Sequence, residues 1–328
     1  MSDIPAWIEP ELATLTSDRF ADPAWIFERK LDGERCLAFG SGPLAFGSGP
    51  RLRLMTRNQK EVTGTYPEIA DALRAQQAEG LTADFIADGE IVAFDGSQTS
   101  FSRLQQRMGI SNPGPELRAA VPVVFCLFDV LWAGGRDLRP LPLLERKELL
   151  RSLLSWGDPL RWTEHRVGDG LAFWREACSM GWEGLVAKRG GAPYRSGRSR
   201  DWLKFKCENA QEFVLGGFTD PQGSRTGFGA LLLGYYDSEG RLTYAGKVGT
   251  GFDERTLASL HAALAAMQRT EPAFERGDLP RSRVHWVEPR LVGQVAFSEW
   301  TRDGQLRHPR FQGLRRDKDP ADVVREIP

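Results

Sequence analysis

The 328-residue sequence lacks several features that would place it in a specialised class of protein. It has no run of about 18 uncharged apolar residues, so we expect no membrane-spanning helix. Its first residues include acids and show no basic segment followed by an apolar one, which argues against a secretory signal. We therefore expect a cytoplasmic protein. Cysteines are few and scattered singly, so we expect neither a zinc site nor a disulfide framework and interpret all four as packing residues. They are Cys36, Cys126, Cys178 and Cys207.

Net charge is also nearly absent, with 43 basic and 44 acidic residues giving −1. This balance does not by itself indicate a nucleic-acid partner. The basic residues are, however, concentrated near the end of the chain, where residues 302–318 contain six lysines and arginines against two acids. A local basic patch can bind phosphates while the whole chain stays neutral. Composition therefore permits DNA binding without establishing it.

The pattern of elements changes along the chain in a way that predicts two domains. The first two-thirds alternates strand-like runs with a few amphipathic helices, which indicates an α+β domain built on antiparallel sheet. From residue 208 onward, short strands are separated by glycine- and proline-rich turns, with one helix among them. VHWVEP and LVGQVAFSEWT are predicted as two of these strands. Five strands and one helix in about 120 residues are typical of a small Greek-key barrel of the oligonucleotide-binding (OB) kind. We predict domains at 1–207 and 208–328.

The segment LAFGSGP occurs twice in tandem, at residues 37–43 and 44–50. Each Gly-Ser-Gly-Pro is a turn signal, so the duplication lengthens a hairpin loop between two strands. We interpret it as an insertion tolerated at a loop tip. An alternative is that either copy of the strand residues can pair, which would allow two strand registers.

The main chemical signal is the segment Glu28-Arg29-Lys30-Leu31-Asp32-Gly33-Glu34-Arg35, which follows the apolar run AWIF. A lone Lys-x-Asp-Gly is a weak motif, but further motifs follow it in a fixed order. These are Thr56-Arg57-Asn58, Asp88-Gly89-Glu90, Glu183-Gly184-Leu185-Val186-Ala187-Lys188, Trp202-Leu203-Lys204-Phe205-Lys206 and Arg315-Arg316-Asp317-Lys318. The ordered set resembles the covalent nucleotidyltransferases, which include ATP-dependent DNA ligases, RNA ligases and mRNA capping enzymes.

The resemblance implies that Lys30 is the catalytic nucleophile, which attacks the α-phosphorus of ATP and becomes lysyl-AMP. The attacking amine must be neutral, so we expect nearby positive charge from Arg35, Lys204, Lys206 and a bound divalent ion to lower the pKa of Lys30. Glu90 and Glu183, which lie in segments predicted to be strands, are the implied ligands of Mg²⁺, with Mn²⁺ as a substitute.

The resemblance also implies a set of nucleotide contacts. Glu28 would hold the adenine end, Phe128 would stack on the base, and Val186 would flank its other face. Glu90 would also reach the ribose. The implied phosphate and ribose contacts are Arg35, Arg57, Arg198, Lys204 and Lys206, with Lys188 as a secondary phosphate contact and with Arg315 and Lys318 acting when the barrel domain closes over the ATP.

Other strings resemble one branch of the family. Phe101-Ser102-Arg103-Leu104-Gln105-Gln106-Arg107 and the barrel segments are similar to the ligase domain of bacterial DNA ligase D, whose family works in non-homologous end joining with the Ku protein. The sequence shows no segment similar to a polymerase, nuclease or DNA-encircling N-terminal domain, so we expect either a stand-alone relative or an excised domain of a larger protein. The resemblance implies a monomeric DNA ligase that uses ATP and Mg²⁺, seals nicked or broken duplex DNA during repair in the nucleoid, and has Ku as a candidate partner.

Two alternatives stay open at this point. One is another enzyme of the superfamily, an RNA ligase or a capping guanylyltransferase, against which the Leu-Gln-x-Arg string argues. The other is a non-catalytic DNA-binding scaffold that keeps the fold. Retention of Lys30, Glu90, Glu183, Lys204 and Lys206 argues against the scaffold, because a decayed enzyme need not keep them.

Overall fold

The computed structural model describes residues 4–41, 51–78, 84–221, 226–280, 283–301 and 303–326. The chain divides into two compact units, Met1–Cys207 and Glu208–Ile327. Each unit is described separately below. Within the described ranges, no helix has both the length and the apolar character needed to cross a bilayer.

The first unit contains twelve strands and five helices among its described residues. The strands are β1 (Glu11–Leu15), β2 (Trp25–Arg29), β3 (Glu34–Ser41), β4 (Arg51–Thr56), β5 (Phe85–Asp95), β6 (Gln98–Thr99), β7 (Val123–Ala133), β8 (Arg136–Asp137), β9 (Leu160–Trp162), β10 (His165–Val167), β11 (Gly184–Arg189) and β12 (Gly197–Lys206). The helices are α1 (Pro67–Ala78), α2 (Phe101–Leu104), α3 (Pro115–Ala120), α4 (Leu143–Leu153) and α5 (Gly170–Ser179).

These strands form two sheets. One has the order β1-β12-β11-β2-β10, and the other has the order β4-β3-β5-β7-β8 with β6 added to β5 and β9 added to β7. Most neighbouring strands are antiparallel, and the pairs β1–β12 and β7–β9 are parallel. The α+β class with a largely antiparallel framework is therefore confirmed.

Strand β7 contains a long apolar run and is covered on both faces. Ten of its eleven residues are buried, because α1, α4 and their neighbours cover one face and the side chains between the two sheets cover the other. A continuous apolar run is the pattern expected for a strand covered on both sides. Its one acid, Asp129, is paired with the equally buried Arg146 through two hydrogen bonds of 2.7 and 2.8 Å.

The second unit is built around one six-stranded sheet with the order β15-β14-β13-β17-β16, and β20 also pairs with β17. This confirms the OB-fold prediction. Its described elements are β13 (Asn209–Thr219), β14 (Leu231–Tyr236), β15 (Leu242–Val248), α6 (Glu254–Ala265), β16 (Gln268–Arg269), β17 (Val284–Phe297), β18 (Glu299–Trp300), β19 (Leu306–Arg307), β20 (Arg310–Leu314) and a short 3-10 helix at Pro320–Asp322.

Strand β17 corrects one detail of the prediction. VHWVEP and LVGQVAFSEWT are predicted as two strands, but Val284–Phe297 form a single strand of 14 residues. The pairing with β13 shifts register between Trp286 and Leu291, and Pro289 lies in this interval. A proline has no N–H to donate to a neighbouring strand, so it is tolerated where a ladder is interrupted.

The cysteine prediction was wrong for one pair. Cys178, in α5, forms a disulfide with Cys207, the residue after β12. The two residues are 29 positions apart in sequence, and only the packing of α5 beside β11 and its neighbour β12 brings them together, so no local spacing signals the bond. Cys36 and Cys126 are buried and free, as expected of packing residues. Most of the duplicated LAFGSGP, residues 42–50, lies outside the described residues, and Leu37–Ser41 of the first copy ends β3.

Candidate active site

The neighbouring strands β2, β11 and β12 place many of the predicted site residues on one face of the five-stranded sheet. In their register Glu28 lies opposite Val186, which lies opposite Lys204. Beyond the end of β2, the amide of Lys30 donates to the carbonyl of Gly184 at 2.9 Å. Side chains two positions apart on a strand share a face. That face therefore carries Glu28, Lys30, Val186, Lys188, Lys204 and Lys206.

Lys30 is held by Glu183 within this face. The Nζ of Lys30 donates to Oε2 of Glu183 at 2.6 Å, with 19% and 22% of the two side chains exposed. Glu183 precedes β11, so it lies in the connection from α5 and not in a strand as predicted. The next residue must be glycine, because Gly184 has φ of +143° and a Cβ there would lie 2.0 Å from the carbonyl oxygen of Phe205.

The electrostatic expectation for Lys30 was wrong. Burial by itself lowers the pKa of this amine, but the charge and hydrogen bond of Glu183, together with Asp32 and Glu90, outweigh burial and raise the pKa. The described surroundings of Lys30 are thus dominated by carboxylates. The prediction considered the basic residues of the motifs and overlooked the acids among them.

Arg35 faces a different partner from the one expected. It lies opposite Glu90 on β5, and its guanidinium donates to both oxygens of the buried Asp88 at 2.6 Å. The hydroxyl of Tyr194 also donates to Asp88 at 2.6 Å. Although burial opposes it, the charge of Asp88 raises the pKa of Arg35 further. The guanidinium lies 4.4 Å from the ring centroid of Phe128, so Arg35 is fixed beside the predicted base-stacking ring.

Glu28 is almost fully buried and contacts two lysines. Lys147 of α4 donates to Oε1 at 2.5 Å, and Lys188 lies 2.6 Å from Oε2. Burial raises the pKa of Glu28, but the two lysines outweigh it and the pKa is lowered. For Lys188, burial dominates and lowers the pKa to about 8, with Glu28 opposing this and Lys147 adding to it.

Lys188 therefore does not lie where the sequence suggested. It was predicted as a secondary phosphate contact, but it is 1% exposed and its Nζ is 4.0 Å from the ring centroids of both Phe128 and Trp202. Lys147 was missed altogether. The signal available was the helical pattern of α4, whose buried positions include Arg146 and Lys147 among apolar residues.

The remaining basic residues lie in three places. Arg57 follows β4, where its amide donates to the carbonyl of Arg35 at 3.3 Å. Arg198 is exposed on β12 and donates to the carbonyl of Ala13 at 2.9 Å. In the second unit, Arg315 donates to Asp317 at 2.8 and 3.0 Å, and Lys318 lies 3.3 Å from Glu212.

Arg107 of the Leu-Gln-x-Arg string is a buried structural residue. Its guanidinium donates to both oxygens of Glu68 and to the carbonyls of Thr65 and Val121. These bonds join the segment after α2 to the start of α1 and the end of α3. Over the part of the chain that the structure describes, no three His, Cys, Asp or Glu side chains are grouped so as to hold a metal ion.

Comparison with known proteins agrees with this architecture. Residues 10–206 match the family model of the ATP dependent DNA ligase domain, and residues 224–318 match that of the ATP dependent DNA ligase C terminal region. The chain is 37% identical to the multifunctional non-homologous end joining protein LigD of Pseudomonas aeruginosa, covering 99% of this chain and 37% of that protein. It is also 37% identical to LigD of Mycolicibacterium smegmatis, covering 98% of this chain and 40% of that protein.

The chain thus spans about two-fifths of the length of these relatives. Among solved structures, it is similar to mycobacterial DNA ligase D complexed with ATP and MES, with a TM-score of 0.66 and 35% identity over 97% of this chain and 98% of that one. The ligase domain of LigD from M. tuberculosis is similar with a TM-score of 0.51 and 36% identity, over 97% of this chain and 98% of that one. On the match of both family models to the two units, the chain belongs to the ATP-dependent DNA ligases.

Proposed function

We propose that this ligase seals 5′-phosphate/3′-hydroxyl nicks or breaks in duplex DNA through a lysyl-AMP intermediate formed on Lys30. The observation that carries the proposal is the position of Lys30, partly exposed and hydrogen-bonded to Glu183 at 2.6 Å within a group of acids. In the first step the Nζ–phosphorus bond forms at the α-phosphate while the bond to pyrophosphate breaks. AMP then passes to the 5′-phosphate of the nick, and the 3′-hydroxyl displaces it.

The raised pKa of Lys30 supports a proposed role for Glu183 besides metal binding. An ammonium cannot attack phosphorus, so Lys30 must first lose a proton. The nearest described acceptor is Oε2 of Glu183, which already receives the hydrogen bond. We infer that Glu183 holds this proton before attack and orients the amine.

The carboxylates around Lys30 also fit a divalent cation. Their combined charge is strong enough to raise the pKa of Lys30 despite burial, and carboxylate oxygens are the hard donors that Mg²⁺ takes, often one or two together with substrate phosphates. Glu183 and Glu90 are the proposed ligands. When bound, the ion would neutralise charge on the triphosphate and on these acids.

The base is proposed to bind at the group formed by Glu28, Lys188 and Phe128. Adenine presents the donor N6–H₂ beside the acceptor N1, whereas guanine presents the acceptor O6 beside the donor N1–H. A carboxylate and an ammonium held 2.6 Å apart offer the complementary pair for adenine. Phe128 and Val186 are proposed to flank the base.

Phosphates are proposed to contact the basic residues of both units. Lys204 and Lys206 share the face of Lys30. Arg35 lies beside Phe128, Arg57 follows β4, and Arg198 is exposed on β12. Arg315 and Lys318 are proposed to contribute when the second unit closes over the nucleotide. Action in non-homologous end joining is proposed from the names of the relatives. Ku as a partner, the monomeric state and a cytoplasmic location at the nucleoid are proposed from the family resemblance of the sequence.

The test follows labelled adenylate from protein to nick to sealed strand. The protein is incubated with α-labelled ATP or GTP and Mg²⁺, then with nicked DNA or nicked RNA, and the products are separated on denaturing gels. We expect label from ATP on wild-type protein, none on Lys30→Ala, and transfer only to DNA. Lys60→Ala, which removes an exposed lysine after β4, is the control. Adenylated Lys30→Ala, or label from GTP alone, would overturn the proposal.

A further inference from the structure

Lys147 is a fully buried lysine on α4 that contacts Glu28, a residue of the proposed base site. Its side chain is 0% exposed, and its Nζ donates to Oε1 of Glu28 at 2.5 Å and to the carbonyl of Thr163 at 3.0 Å. It also lies 4.9 Å from the ring centroid of Trp162. A lysine held by two acceptors and an aromatic ring has a fixed position, although most lysines are mobile and exposed.

The carboxylate of Glu28 is fixed by this arrangement in turn. One oxygen accepts from Lys147 and the other faces Lys188. A carboxylate has about four lone-pair positions, and the two lysines use two of them. The contact with Lys147 therefore does not block Glu28 but determines in which direction its remaining lone pairs point.

The charges argue for a role beyond fold stability. Two buried lysines face one carboxylate, and a second buried cation costs desolvation free energy that a single ion pair would not require. Lys188 alone would neutralise Glu28. Lys188 also lies against Phe128 and Trp202. If Lys188 donates a hydrogen bond to the base, Lys147 is the cation that keeps the Glu28 carboxylate paired.

We propose that Lys147 is a positioning residue for base selection, which fixes the Glu28 carboxylate so that it accepts a hydrogen bond from the exocyclic amine of adenine. This inference rests on the proposed function, in which Glu28 reads the base. It adds a residue that touches neither the nucleotide nor the reacting atoms. Its effect is therefore specific to one group on the substrate, the 6-amino group.

The experiment couples a change in the protein to a change in the nucleotide. Self-adenylation kinetics are measured with ATP and with purine riboside triphosphate, which lacks the 6-amino group. Lys147→Met keeps about the length of the side chain and leaves Glu28 paired with Lys188, so one positive and one negative charge remain in this buried group. For this variant we expect kcat/KM with ATP to fall about 10- to 100-fold, mainly through KM, because a charge-assisted hydrogen bond is lost. With the analogue we expect kcat/KM of the variant to fall less than about threefold, because the hydrogen bond from the 6-amino group is already missing.

The matched control is Arg146→Met. Arg146 is the preceding residue of α4, is equally buried, and is paired with the carboxylate of Asp129. Its removal should destabilise the protein while reducing activity equally with both nucleotides. Lys147→Gln, which keeps a neutral donor, should retain part of the preference for ATP and serves if Lys147→Met does not fold.

Three outcomes separate the inference from the proposed function. Absence of self-adenylation in the wild type would refute the proposed function itself. Equal use of ATP and the analogue by the wild type would show that Glu28 does not read the amine, which overturns the inference and leaves lysyl-AMP formation intact. Equal losses of Lys147→Met with both nucleotides, as with Arg146→Met, would show that Lys147 only stabilises the fold.

Discussion

The Nζ of Lys30 lies 2.6 Å from Oε2 of Glu183, although the two residues are 153 positions apart in sequence. The contact forms because β2 and β11 are adjacent and the amide of Lys30 is bound to the carbonyl of Gly184. In the protein without nucleotide, Lys30 is consequently a protonated partner in an ion pair.

Glu183→Gln should make Lys30 more reactive toward a general amine reagent. Removal of the largest opposing charge lowers the pKa of Lys30, and each unit of decrease gives about tenfold more neutral amine near pH 8. The rate can be followed by mass spectrometry of the peptide containing Lys30 after trinitrophenylation without ATP or metal. Glu176→Gln, which changes an exposed acid paired with Arg166, should leave the rate unchanged. An unchanged rate in Glu183→Gln would contradict the ion pair.

Reduction of the Cys178–Cys207 disulfide should destabilise the first unit. The bond closes a loop of 29 positions, and loops of this size correspond to about 3 to 4 kcal/mol of unfolding free energy in the chain-entropy model. Urea unfolding with and without dithiothreitol measures the difference. The double variant Cys178→Ser/Cys207→Ser should not respond to the reductant. If dithiothreitol left the unfolding free energy of the wild-type protein unchanged as well, the disulfide would not be formed.

Stability should depend on pH through Lys188. The pKa of Lys188 is about 8 in the folded protein against an ordinary 10.5, so between these values the unfolded chain binds a proton that the folded chain has released. The free energy of unfolding then rises with pH across that window by about 3 kcal/mol from this residue. Below pH 8 the cost of burying the charge is fully present, and above 10.5 it is absent.

The measurement is the difference in unfolding free energy between the wild type and Lys188→Met at several pH values. All other titrating groups contribute to both proteins, so the difference isolates Lys188. Parallel curves for the two proteins would contradict the lowered pKa.

Deletion of residues 44–50 should leave self-adenylation largely intact. Strand β3 ends at Ser41, which pairs with Arg51 at the start of β4, and Gly42 and Pro43 would then connect them. The entropy of loop closure changes slowly with loop length, so stability should shift by less than about 1 kcal/mol. Because the two copies are identical, deletion of either one gives the same chain. An inactive but folded product would show that the duplication serves the reaction.

Much of the fold was predictable from the sequence because its signals are local. The apolar run of β7, the helical period of α4 and the turn-rich second unit each depend on neighbouring residues only. The motif order likewise predicted the family, which the two family models confirm. The break predicted within β17 shows the limit of local signals, since Pro289 is accommodated by a register shift that only the partner strand reveals.

The missed features all depend on residues distant in sequence. Glu28 and Lys147 are 119 positions apart in sequence. Cys178 and Cys207, which form the disulfide, are 29 positions apart. The sign of the pKa shift at Lys30 was missed for the same reason, because it is set by which charges are nearest and not by which charges the motifs contain.

The position of Arg107 affects how sequences of this kind are classified. Its bonds to Glu68 and to two backbone carbonyls support the interior of the first unit and involve no residue of the candidate active site. A homologue that had lost its nucleophile would still need this arginine in order to fold. The Leu-Gln-x-Arg string therefore indicates membership of the family and not activity. Whether a homologue can join DNA strands has to be judged from Lys30 and the acids beside it.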